Sequence, residues 1–312
     1  SDSQSMSPKR TQLIYNPTAG QTWSSFKPER VQEYLAQYNW QVDLAPTEYA
    51  GHASDLARQA VKNKYEIVIA AGGDGTINEV VQGLAHSDVT LGFLPVGTTN
   101  VLAREFKVPR NFNDALAYLP AAETMKIDLG LMNQRYFLLM AGFGYDAELV
   151  RDVNPQMKHV AGKMAVVASG VMNLFNHKPF KVKIVFKDAQ GKKKRLRRSS
   201  MQIFVSNAAT YATDYKIAEE ACMNDGLLEL HVFKSKRFRD TFAALIAMLL
   251  RRHKDWADFD HYSVCSVEVY SRKPMPIQLD GDTVGNTPAK IDVVPAALNI
   301  LHPQKEKKPS LS

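Results

Sequence analysis

Cysteine is scarce in this chain: Cys222 and Cys265 are the only two in 312 residues. Neither stands at a zinc-like spacing from histidines, and two thiols make no disulfide scaffold, so a reducing compartment fits. Long apolar runs are missing too. The longest, residues 242–250, falls far short of the roughly 20 residues that span a bilayer. No secretory signal and no internal repeat is legible. Neither Gly-x-x-x-x-Gly-Lys-Ser/Thr nor the protein-kinase catalytic loop occurs, which excludes the P-loop and protein-kinase routes to phosphate chemistry. Acidic charge is the minority sign, with 32 Asp and Glu against 39 Lys and Arg for a net +7. Polyanions should be attracted. The cations cluster at 192–198 and around the apolar run, at 234–239 and 251–254. The first cluster reads either as a solvated hairpin edge that discourages aggregation or as a contact for anionic lipid. Nucleic acid is not expected, because no stacking aromatics interleave the run. Residues 1–9 and 304–312 carry no apolar period and read as flexible ends, the first five as an expression remnant ahead of Met6.

Against these absences stands Ala70-Ala71-Gly72-Gly73-Asp74-Gly75-Thr76-Ile77-Asn78-Glu79. Ile67 to Ala70 is an uninterrupted apolar run of the kind covered on both faces of a sheet, and Ile77, Val80, Val81 and Leu84 recur at helical spacing. Between strand and helix, glycine lets main-chain N–H groups approach an anion at the positive end of the helix. Asp74 would repel phosphates unless a divalent cation bridged them, so a Mg-nucleotide is the natural ligand. Two more strands end in glycine-bearing polar loops: Gln12 to Tyr15 runs into Asn16-Pro17-Thr18-Ala19-Gly20, and Leu91 to Leu94 into Pro95-Val96-Gly97-Thr98-Thr99-Asn100. Loops at the carboxyl ends of parallel strands converge on one crevice.

Strands alternate with helices up to about residue 127, which predicts a doubly wound α/β nucleotide-binding domain over 10–127. Beyond Asp128 short alternating strands dominate, with a hairpin at Asp188-Ala189-Gln190-Gly191. An antiparallel β domain over 128–295 is expected, interrupted by helices around 160–175 and 237–252. The second helix has a wide apolar stripe, read as core packing or as interfacial docking.

Taken in order, Asn16-Pro17-x-Ala19-Gly20, Gly72-Gly73-Asp74-Gly75-Thr76-x-Asn78-Glu79, Pro95-x-Gly97-Thr98-x-Asn100, Ile127-Asp128-Leu129-Gly130, Gly142 to Ala147, Asp225-Gly226-Leu227 and Leu279-Asp280-Gly281 resemble the diacylglycerol and sphingosine kinase family, nearest its bacterial lipid kinases. The resemblance runs from Arg10 to about Pro303. It implies a β-sandwich lipid-substrate domain at 128–295, a final segment near 296–303 returning to the first domain, and transfer of the γ-phosphate of ATP, with Mg²⁺, to a lipid hydroxyl. The lipid would be diacylglycerol or a relative, with a long-chain base as a variant, at an anionic membrane surface. A cytoplasmic protein peripheral to the inner face of the membrane follows; a homodimer is left open.

Residue by residue, the resemblance implies ATP contacts from Asn16, Thr47, Gly72, Gly73, Asp74, Gly75, Thr76, Asn78, Glu79, Thr98 and Asp282. Asp280 is the implied base, with Asp74 as the rival from the sphingosine kinase branch. Asp74 and Asp128 would serve a water-linked Mg²⁺ network, and Asp225 with the carbonyls of Cys222 and Leu227 a structural Mg²⁺. The chain departs from the family at Asp282, where glutamate is usual, at Val101, where many members carry aspartate, and at Ala218-Glu219 in place of Ala-Pro. An NAD kinase-like activity and a non-catalytic nucleotide-binding membrane adaptor are the alternatives.

Overall fold

The structure is a computed structural model that describes residues 7–17, 26–97, 100–109, 111–144, 147, 179–208, 210–211, 215–216, 222–234 and 259–303. Thr98, the helices expected near 160–175 and 237–252, the second basic cluster apart from Lys234, Ala218-Glu219 and most of the two ends lie outside the described residues. The chain forms two compact units, one of residues up to 127 together with those from 296 on, the other of residues 128–295.

The first unit is a parallel α/β layer. Its elements run β1 (Lys9–Tyr15), α1 (Pro28–Ala36), β2 (Trp40–Pro46), α2 (His52–Lys62), β3 (Ile67–Gly72), α3 (Asp74–Leu84), β4 (Thr90–Pro95), α4 (Val101–Glu105) and α5 (Phe112–Ala121). Strands pair in the order β2-β1-β3-β4, all parallel. All six residues of β3 are buried, as its unbroken apolar run requires. Helix α3 buries Ile77, Val80, Val81 and Leu84 on one stripe. It lies so close to α2 that a Cβ on Gly83 would meet the Ala57 side chain at 2.5 Å. Pro28 opens α1, where its missing N–H costs nothing.

The strand order reverses direction between β1 and β3, and the register aligns Pro46 with Tyr15, Tyr15 with Ala71 and Ala71 with Leu94. Four strand ends therefore stand abreast, and the loops beginning at Asn16, Thr47, Gly73 and Val96 leave from one edge.

The second unit is an antiparallel β-sandwich. After β5 (Glu123–Met132), which enters it from the first unit, come β6 (Arg135–Phe137), β7 (Met140–Gly144), β8 (Phe180–Asp188), β9 (Lys193–Ser206), β10 (Thr210–Tyr211), β11 (Tyr215–Lys216), β12 (Leu228–Lys234), β13 (Phe259–Ser271), β14 (Pro276–Leu279), β15 (Asp282–Asn286) and β16 (Ala289–His302). Strands β9 and β13 are long enough to serve both layers. Residues 200–206 of β9 pair with β12 and β7, whereas 193–200 pair with β8. Likewise β13 pairs with β12 up to Val264 and, after a register shift there, with β8 and β16. Strands that change layer at an irregularity form the corners of a sandwich. Between the layers Phe143, Phe186, Ile203, Leu230, Val267, Ile277 and Ile291 are buried. Each contributes about 1.5–3 kcal/mol relative to exposure.

Strand β16 begins beside β13 and ends beside β4: Lys290 pairs with Glu268 antiparallel, and Asn299 with Thr90 parallel. Ala296, at φ 50°, separates the two stretches.

Candidate active site

In the first unit the glycine elbow links β3 directly to α3. Gly73 caps α3 with no side-chain hydrogen bond to the first turn, so the helix presents bare main-chain donors at its positive end. Two glycines here are sterically required. A Cβ on Gly72 would meet the Thr76 side chain at 2.6 Å, and one on Gly97 the Gly73 Cα at 2.4 Å. Gly75 differs: nothing among the described residues lies within 4 Å of its would-be Cβ. Glycine inside a helix is destabilising by roughly 0.5–1 kcal/mol relative to alanine, so an exposed helical Gly75 facing open space has no internal reason to be glycine.

The third loop is bound to this elbow by Asp74. Its carboxylate accepts the main-chain N–H groups of Val101 (3.2 Å) and Leu102 (3.4 Å), capping α4 from another element. Burial pushes the Asp74 carboxyl above the ordinary aspartate value, opposed by those two amides, by Arg104 and by the Asn100 main-chain amide. Asn100, in the left-handed region at φ 47°, closes the loop on itself. Its amide donates to the carbonyls of Pro95 and Gly97 and accepts the Gly97 N–H. Asn16 and Thr47 open the neighbouring loops on the same edge, the Thr47 N–H donating to the Tyr15 carbonyl at 2.8 Å. Asn78 and Glu79 follow on α3, where the Asn78 carbonyl accepts from Gln82. One strand edge thus gathers Asn16, Thr47, residues 72–76 and the loop that leaves β4 through Val96 and Gly97.

In the second unit Asp280 and Gly281 form the two-residue turn between β14 and β15, both at positive φ, as the tightest hairpins require. The Asp280 carboxylate turns back to accept three main-chain N–H groups, those of Leu138 (2.7 Å), Leu139 and Met140 (2.9 Å each). Asp282 pairs with Arg135 at 2.5 Å, both side chains well exposed, which makes the pair weak. Asp128 is buried and its carboxylate accepts the Gly226 N–H at 2.7 Å. Asp225 accepts the Leu227 N–H at 3.0 Å. Burial raises its carboxyl above the usual range against the pull of that amide, and Glu229 and Asp128 raise it further. The Cys222 thiol contacts Asn224 Oδ1 at 2.9 Å. No set of three or more His, Cys, Asp or Glu side chains stands together as a metal cluster among the described residues.

Asn207 joins these pieces. Fully buried, it donates to the carbonyls of Asp128 (2.8 Å) and Leu138 (2.9 Å), so Asp128 and the amides that hold Asp280 share one anchor. Sequence reasoning missed it; the only available signal was an Asn directly after an apolar strand.

Residues 10–132 match the diacylglycerol kinase catalytic domain, and residues 140–302 match the YegS C-terminal NAD kinase beta sandwich-like domain. A diacylglycerol kinase of Bacillus subtilis (strain 168) is 32% identical over 97% of this chain and 99% of its own length. The chain belongs to the diacylglycerol kinase family. A second relative, the diacylglycerol kinase of Staphylococcus carnosus (strain TM300), is 25% identical over 97% of this chain and 98% of its own. A crystal structure of a diacylglycerol kinase from Bacillus anthracis str. Sterne shares the fold, with a TM-score of 0.75 at 22% identity, covering 97% of this chain and 99% of that one. As a lipid kinase, the chain takes ATP as phosphoryl donor and a lipid as acceptor. Among the described residues no helix is long and apolar enough to cross a membrane.

Proposed function

We propose that this kinase transfers the γ-phosphate of Mg-ATP to a hydroxyl of diacylglycerol, or of a related lipid, at the inner face of the cytoplasmic membrane. One observation carries the nucleotide side: Gly75 opens the uncapped start of α3 into space that no described residue fills. The main-chain N–H groups of residues 74–76 would hold the phosphates there, with Asn16 and Thr47 on adjoining loops; Thr98 is a further proposed contact. The donor chemistry fits a hard cation as well. Asp74 spends two main-chain contacts on α4, fewer than the roughly four acceptor positions a carboxylate has, and so retains oxygen capacity for a Mg²⁺ or its water shell. Mg²⁺ bound with ATP neutralises the charge that develops on the transferring group. Asp225 and the carbonyls of Cys222 and Leu227 would hold a second, structural ion.

Asp280 is assigned as the base that orients the lipid hydroxyl and accepts its proton. Three amides hold its carboxylate in one orientation, which suits a positioning role. Asp74 is the second reading, favoured because burial raises its carboxyl above the ordinary aspartate value. Incubation with labelled ATP, Mg²⁺ and a detergent-dispersed lipid extract should yield a labelled lipid, identified by mass spectrometry. The NAD kinase-like likeness of the second domain supplies the competing outcome, in which NAD and no lipid takes the label.

A further inference from the structure

One face of the second unit carries cations that the lipid kinase chemistry does not use. The rows of β13, β8 and β9 stack Tyr270 beside Lys183 and Lys183 beside Arg197, and two residues along, Glu268 beside Val185 and Val185 beside Arg195. A further row sets Ser266 beside Lys187 and Lys187 beside Lys193. Lys183 faces Arg197 directly and Lys187 faces Lys193 directly, and like charges so placed destabilise a sheet. Folding alone does not ask for this arrangement.

Cations next to this face are neutralised. Lys194 pairs with Asp188 at 2.9 Å, Arg198 and Lys234 share Asp260 at 2.6 and 3.3 Å, and Lys290 pairs with Asp292 at 2.9 Å. By contrast, Lys183, Lys187, Lys193, Arg195 and Arg197 are exposed and make no ion pair with any described residue. The single carboxylate on these rows, Glu268, already accepts the Tyr270 hydroxyl at 2.6 Å. Tyr270 is 40% exposed, one of three large apolar side chains so exposed among the described residues, and Lys183 lies over its ring at 5.4 Å. Beside them opens a groove of about 690 Å³ bounded by Lys181, Lys183, Arg197, Arg198, Tyr270 and Arg272.

We propose that this face of β8, β9 and β13 is the surface by which the kinase sits on an anionic phospholipid bilayer, an inference that rests on the lipid kinase reading above. Charge complementarity favours that occupant. A broad sheet face with unpaired cations and one interfacial tyrosine suits a planar array of phosphates, each cation near such a surface being worth about fivefold in affinity. Single-stranded nucleic acid needs a series of stacking aromatics, and this face has one.

The fold itself supplies a clean test. Lys183→Glu and Lys187→Glu place carboxylates directly opposite Arg197 and Lys193, replacing two repulsions by two attractions, so the double variant should melt no lower than the parent. Its partition onto phosphatidylglycerol-containing vesicles, read by flotation, should nevertheless fall at least tenfold, while turnover of detergent-dispersed diacylglycerol stays unchanged. Lys62→Glu with Lys64→Glu, an equal charge change on the first unit, should lower vesicle binding far less. Vesicle binding by Lys183→Glu/Lys187→Glu equal to the parent's overturns the proposal, as does a parent that binds zwitterionic phosphatidylcholine vesicles equally well or prefers polyuridylate to vesicles. Absence of any lipid product in detergent would overturn the lipid kinase reading instead, and the two failures are read from separate measurements.

Discussion

In the first unit a carboxylate rides on the opening turn of a helix, and in the second on a two-residue hairpin turn. Asp74 accepts two amides from the start of α4, and Asp280 accepts three from the segment entering β7. Both aspartates therefore sit on tight turns and fix main chain that is remote in sequence. Their surroundings differ. Asp74 stands beside unused helix-end donors and is raised by burial, whereas Asp280 has most of its acceptor positions filled and is locked in orientation. The contrast suggests a division of labour, phosphate and cation handling in one unit and hydroxyl positioning in the other.

The sharpest way to break that division is to neutralise each aspartate in turn. Asp280→Asn should lower kcat by about 10²–10⁴-fold with the KM for ATP little changed, as removal of a general base does. Asp74→Asn should instead raise the KM for ATP and the Mg²⁺ requirement. If the rising limb of the kcat–pH profile survives in Asp280→Asn and vanishes in Asp74→Asn, the two roles must be exchanged.

The glycines offer a second contrast inside one loop. Gly97→Ala drives a methyl into the Gly73 backbone and should cost about 1–3 kcal/mol of stability, seen as a lower urea midpoint. Gly75→Ala meets nothing and should leave stability unchanged or raise it by up to about 1 kcal/mol. Its ATP affinity, measured by calorimetry, should still fall about tenfold, equivalent to 1.4 kcal/mol. Normal ATP binding by Gly75→Ala would remove the main support for phosphates at this elbow.

The smallest expected effect concerns acid stability. The Lys194 ammonium hydrogen-bonded to Asp188 holds that carboxyl below the ordinary 3.8. The stability it contributes is present above 3.8 and is lost as pH falls through the lowered folded value. Asp74 has the opposite sign, contributing nothing below 3.8 and a cost that grows as pH rises from there through its raised value. Urea midpoints followed by circular dichroism from about pH 3 to pH 7 should show Asp188→Asn with a flatter acid limb than the parent.

Much of the layout was legible in the residues because local patterns carry it. Ile67 to Ala70 announces a doubly covered strand, Ile77 to Leu84 a helix with one buried stripe, and the Asp188 hairpin closes as its turn residues predict, with the Asp188 carboxylate accepting the Gln190 and Lys192 amides. What escaped notice joins distant positions. Val101 reads as a plain apolar residue until its N–H is found on Asp74, and nothing around Leu138 points 142 residues ahead to Asp280. Strand β7 was invisible as a strand because Gly142 and Gly144 break its apolar alternation. The basic run at 192–198 stood out, yet its companions Lys181, Lys183 and Arg272 join it only through strand pairing.

Strand β16 also constrains the order of assembly during protein synthesis. Leu298, Ile300 and Leu301 fill the core of the first unit, and Leu301 lies against Gly92. A ribosome making 5–20 residues per second emits these side chains roughly ten to thirty seconds after residue 127. Until then the β4 edge of the nascent nucleotide-binding layer stands uncovered, open to chaperones or to a neighbouring chain.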